Sequence, residues 1–159
     1  MARAAALLAG RQGSAFQWAN ALSAHGSAPV YAYEFSHTQP YTPGASFADH
    51  DPATAGAYHT ADVPYWLETL DSLNLYRETR TWTAFDRNLA DLMSGAILQF
   101  AATGSPDHGD FKWPEYSPDS TLIVDFGGGE TLWKVVPWYH IGNYRFFQEE
   151  QGRAGDRGQ

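Results

Sequence analysis

The segment APVYAYEF, residues 28–35, sets the tightest limit on what this chain can fold into. Val30, Tyr31, Tyr33 and Phe35 are β-branched or aromatic, and Pro29 stands at the entry. Its apolar content is nearly continuous rather than alternating, which suits a strand in a sheet covered on both faces. A covering layer is legible further on. Between Trp82 and Thr103 the apolar residues fall at Trp82, Phe85, Leu89, Leu92, Met93, Ala96, Ile97 and Phe100, steps of three and four that define one helix face. Thr83 and Asp86 fit a capping box at its start, and Gly104 and Pro106 stop it. TLIVDF (121–126) predicts a second strand and TLWKVV (131–136) a weaker third. Three strands are few for a chain that is 15% aromatic, so the expected class is α/β, as part of a larger sheet.

The remaining segments are shorter. Ser14 is expected to cap a helix over Phe16–Ala24 that ends at His25-Gly26. Residues 36–58 carry three prolines and two glycines with no period of their own, and loops of that length in a compact domain are usually functional or disordered. Pro64 opens a short helical candidate, Tyr65–Leu70. FKWPEY (111–116) reads as an extended linker and NYRFFQEEQ (143–151) as a terminal helix. Residues 1–150 are expected to form one portion of a domain, and 151–159, made of Gly, Ala, Arg, Asp and Gln, a disordered tail.

Charge narrows the partners. Eighteen acids against ten bases give a net charge of −8, which argues against nucleic acid and against anionic membrane surfaces. No apolar run reaches the roughly 20 residues of a membrane span. MARAAALLAG has a short apolar run, but Gly10-Arg11-Gln12-Gly13 is no cleavage region, so a leader is not expected. The absence of cysteine excludes disulfides, thiolate metal sites and a cysteine nucleophile. The six histidines form no His-Glu-x-x-His or His-x-His pair, Asp49-His50-Asp51 reads as a solvated loop, and Gly127–Gly129 reads as a turn. Neither a metal nor a cofactor is expected. The aromatics fall mostly on core faces, which favours packing over a sugar-stacking surface.

His59 is the candidate for chemistry. A strand, a long irregular loop, a histidine and then a helix place an imidazole near the end of a sheet, where α/β sites lie. An ordinary half-buried histidine is the alternative. A base there needs an oriented ring, a carboxylate and a hydroxyl within reach.

Four phrases, in order, carry a family resemblance: PVYAYEFSH, GAYHTADVPYWL, LADLMSGAILQFAATGSPD and KWPEYSPDSTLIVDFG. From about residue 14 to 127 the chain resembles the C-terminal third of a type B carboxylesterase, the α/β-hydrolase family of para-nitrobenzyl esterases, fungal lipases and cholinesterases. The resemblance implies an α/β-hydrolase fold, here its last strands and covering helices. It matches His59 to the triad histidine, general base for the serine and then general acid for the departing alcohol. It matches Asp62 to an acid that is not the triad acid. Asp62 is expected either to bond backbone or hydroxyls that hold the loop or to favour the start of the following helix. Tyr65 and Trp66 are expected nearby.

The Gly-x-Ser-x-Gly elbow, the glycine-rich oxyanion segment and the upstream triad acid of that family have no counterpart here. The expected partners are therefore a small-molecule carboxylic ester and the missing N-terminal portion of the same enzyme, and the chain alone is expected to be inactive. The alternative is a noncatalytic remnant or binding module on the cholinesterase-like scaffold.

Overall fold

A computed structural model describes residues 2–138, with side chains from Ser14 onward. The element order is α1 (Ala2–His25), β1 (Tyr33–Phe35), α2 (Val63–Trp66), a 3-10 turn (Leu70–Asn74), α3 (Ala84–Thr103), β2 (Leu122–Phe126) and β3 (Trp133–Pro137). The strands form one sheet in the order β1-β2-β3. β1 runs parallel to β2, with Tyr33 opposite Val124 and Phe35 opposite Phe126. A parallel pair needs a crossover, and α2 and α3 lie on it. This mixed architecture is the α/β class expected from the sequence.

The strongest strand expectation is corrected in its particulars. β1 covers only three residues, and its burial runs exposed, intermediate, intermediate rather than covered on both faces. Among the described residues it stands at the edge of the sheet, beside β2. Upstream, Val30 accepts from the Tyr116 N–H at 2.7 Å. The covered strand is β2, where Ile123, Val124, Asp125 and Phe126 are all buried.

Two helices also differ from expectation. Ser14 is no cap, because α1 begins at Ala2 and passes through it. The alanine- and leucine-rich stretch before Ser14 favours helix strongly enough to extend it. The helix ends where expected, the Gly26 N–H closing on the Leu22 carbonyl at 2.7 Å. α2 is displaced to Val63–Trp66, with Pro64 in its first turn. It stops short of Leu70 because Glu68 adopts a left-handed φ of 52°.

α3 keeps its expected caps. Thr83 is the N-cap, its hydroxyl accepting from the Asp86 N–H while the Asp86 side chain accepts from the Thr83 N–H. Gly104 closes the other end at φ 82°, donating to the Phe100 carbonyl. The helix begins at Ala84 rather than Trp82, because the capping box puts Thr83 outside in extended backbone. Its buried stripe is Asp86, Leu89, Ala90, Met93, Ser94 and Ala96. Ile97 and Phe100, expected on that stripe, are 45% and 40% exposed. Helix α2, which packs on α3, is only four residues long.

Packing divides the chain into two units. In the first, drawn from residues 2–32, 115–123 and 136–138, the core is Phe16, Ala19, Tyr116, Ile123, Val136 and Trp138. Its rings meet edge to face, Phe16 and Tyr116 each within 6 Å of Trp138 (5.5 and 5.7 Å between centroids). The second unit, residues 33–114 and 124–135, holds Tyr65, Leu70, Leu89, Met93, Phe111, Trp113, Val124 and Phe126 in its buried interior. Gly127–Gly129 form the turn between β2 and β3. A Cβ at Gly127 would sit 2.4 Å from the His37 Cβ, and φ there is 71°, so glycine is required twice over. The predicted terminal helix 143–151 and tail 151–159 lie outside the described residues.

Candidate active site

All the groups of interest belong to the second unit. Residues 58–61 form a tight turn closed by the Ala61 N–H on the Tyr58 carbonyl at 3.0 Å, and the Val63 N–H follows onto Thr60 at 3.2 Å. Thr60 sits at φ 72°. For a β-branched residue that is a genuine outlier, strained by about 1–3 kcal/mol. The turn presents His59 on the surface, and its imidazole has no hydrogen-bond partner among the described residues.

Asp62 follows at the N-cap position of α2 but makes no side-chain cap bond. Its Oδ2 instead accepts from the Tyr33 hydroxyl at 2.8 Å and from the Trp66 indole N–H at 3.2 Å. Burial and the neighbouring Asp62 carboxylate push the Tyr33 hydroxyl up to about 12, so it stays a donor. The Trp66 ring stacks on Trp113, with centroids 6.3 Å apart and planes 19° from parallel, and Tyr33 meets both rings edge-on. The sequence-derived pair is thus adjacent but not bonded to each other. Asp62 is engaged by a hydroxyl and an indole, and the His59 ring has no hydrogen-bond partner among the described residues.

Beneath α2 lies a second network. Asp86 is 1% exposed and collects four bonds. His37 Nε2 and the Tyr65 hydroxyl each reach Oδ1 at 2.8 Å, and the Thr83 N–H and hydroxyl reach Oδ2 at 2.9 and 2.5 Å. Burial alone would raise the Asp86 carboxyl, but the bonds from His37, Thr83 and Tyr65 outweigh it and hold the group down to about 2. The same burial and the facing carboxylate push the Tyr65 hydroxyl far above the ordinary phenol range. One carboxylate therefore joins the α3 cap, α2 and the segment after β1.

A third network holds the His59 turn. Gln39 Nε2 donates to the Ala61 carbonyl at 2.9 Å, and Gln39 Oε1 accepts from the Tyr58 hydroxyl at 3.0 Å and from Arg80 Nε at 2.7 Å. Arg80 also donates to the Thr79 carbonyl and lies over the Tyr41 ring at 3.9 Å. Asp49 and Asp51 stay with local partners, bonding His50 Nδ1 and the Ala53 N–H.

Gln39, Arg80 and His37 carry no local sequence signal for these roles. The side-chain partners that define them lie 19 to 49 residues away. Asp86 was visible only as a helix cap.

Over residues 12–135 the chain matches the Carboxylesterase family. Among solved structures it is similar to a PNB esterase (22% identity, TM-score 0.57), covering 82% of this chain and 23% of the esterase. A thermophilic PNB esterase matches at 22% identity and TM-score 0.60, over 80% of this chain and 23% of that one. An esterase from the anaerobe Clostridium hathewayi that can hydrolyze aliphatic aromatic polyesters matches at 20% identity and TM-score 0.65, over 86% and 24%. The chain thus spans about a quarter of the length of these esterases, and its strands and helices are those of the α/β-hydrolase fold. Curated protein sequences give no match. The match spans well over half of the chain, and the chain belongs to the Carboxylesterase family.

Proposed function

We propose that this chain supplies the catalytic histidine of a carboxylic ester hydrolase that works through an acyl-serine intermediate. His59 takes the proton from the serine hydroxyl as it attacks the ester carbonyl, then returns it to the departing alcohol. Asp62 positions the segment by holding Tyr33 and Trp66. The serine, the triad acid and the oxyanion donors come from the N-terminal portion of the same enzyme, and the substrate is a small carboxylic ester. The observation that carries the reading is His59 itself: an exposed imidazole, without a hydrogen-bond partner among the described residues, on a turn strained at Thr60. Backbone strain of that kind persists where surrounding structure over-determines it, and it clusters at functional sites.

The test joins the chain to an N-terminal esterase portion carrying a Gly-x-Ser-x-Gly serine and follows hydrolysis of a short-chain p-nitrophenyl ester. The joined protein is expected to hydrolyse the ester, and the chain alone to give only the rate of buffer. Turnover by the chain alone would overturn the division of the triad. A joined protein that binds the serine portion yet stays inert would favour a noncatalytic scaffold.

A further inference from the structure

We infer that Gln39, oriented by Arg80, is the positioning residue for His59, an assignment that rests on the catalytic reading of His59. The side chain of Gln39 is 1% exposed and touches the turn on both sides of the histidine. Its oxygen holds Tyr58, the residue before His59, and its nitrogen holds the carbonyl of Ala61, two residues after it. One planar amide thus spans the turn, and a displacement of either end moves the imidazole.

The orientation of that amide is dictated by Arg80. A guanidinium offers only donors, so the Gln39 atom facing Arg80 Nε at 2.7 Å must be the oxygen. The NH2 group is then turned to the Ala61 carbonyl, which can only accept. Arg80 is 5% exposed and is itself fixed from three other directions: the Thr79 carbonyl, the Tyr58 hydroxyl at 3.3 Å and the Tyr41 ring. Its own backbone is pinned by Asn74, whose side chain accepts from the Arg80 N–H and donates to the Arg80 carbonyl. The strained Thr60 lies inside the grip, between the two contacts. A turn that prefers to relax and a clamp that prevents it are the two parts of a preorganised base.

Two substitutions separate this role from simple support. Gln39→Glu keeps an acceptor for Arg80 and Tyr58 but has no donor for Ala61. Gln39→Leu removes all three bonds. Amide hydrogen exchange on the chain reads the grip directly. In Gln39→Glu the Ala61 and Val63 amides are expected to exchange at least about fivefold faster, while amides of α3 keep their protection. In the joined enzyme the same variant is expected to lose about ten- to a hundredfold in kcat with KM within about twofold, the pattern of a misplaced base. Unchanged exchange at Ala61 in both variants overturns the clamp. So does unchanged kcat in both variants when His59→Ala abolishes turnover. If His59→Ala itself leaves turnover intact, the catalytic reading and the positioning role fall together. The exchange result then still reports whether Gln39 holds the turn.

Discussion

His59→Ala is expected to lower kcat of the joined enzyme roughly a hundred- to ten-thousand-fold, the range measured for loss of a positioned general base. KM should change little, because proton transfer stabilises the transition state and not the bound ester. Stability should hardly move. The imidazole is exposed and makes no hydrogen bond among the described residues, so its removal falls in the class of surface changes worth about 0.5 kcal/mol or less. A large kinetic loss with a preserved melting curve identifies a chemical role. A melting temperature that falls along with kcat would instead mark His59 as structural.

Asp86→Ala is expected to show the reverse balance. It strands four donors, the His37 ring N–H, the Tyr65 hydroxyl, and the N–H and hydroxyl of Thr83. Breaking a buried, charge-assisted cluster from one side costs about 3–5 kcal/mol, against total stabilities of about 5–15 kcal/mol. Denaturant unfolding of the chain measures it. The wild type adds a pH signature. The folded Asp86 carboxyl titrates near 2, below the ordinary aspartate value of about 3.9. Unfolded chains therefore bind this proton first. The stabilisation is complete above about pH 4 and is lost as pH falls through about 2. Asp86→Asn should lose that part of the acid dependence while keeping one acceptor. If wild type and Asp86→Asn show parallel stability curves from pH 4 to 2, the cluster does not hold the carboxylate ionised.

These two positions differ in how legible they were. Asp86 announced half its role, since Thr83 and Asp86 stand three apart before an apolar helix and the box forms as the spacing predicts. Its other half is bonding to His37 and Tyr65, and no local pattern encodes a contact across 49 residues. The same distance hid Gln39 and Arg80. Propensity misled at Ser14, where a good capping residue sits inside a helix carried through it by its alanine-rich neighbours. Periodicity misled at Ile97 and Phe100, which lie in register with the buried stripe but are exposed. At residues 28–35 composition predicted a strand covered on both faces, yet β1 is three residues long and its Tyr33 is exposed. His59 stood out only as a histidine after a long loop. The four ordered phrases gave it a meaning, and its exposed, strained turn gives that meaning a shape.

The Trp66–Trp113 stack has an optical consequence. Two indoles 6.3 Å apart at a fixed 19° couple their excited states, and one of them donates its N–H to Asp62. Near-ultraviolet circular dichroism responds to such fixed ring packing and vanishes when it loosens. One chromophore, Trp66, sits on the short helix that follows His59 and the other, Trp113, on the segment after α3, so the protein carries its own built-in spectroscopic gauge of whether that corner is assembled.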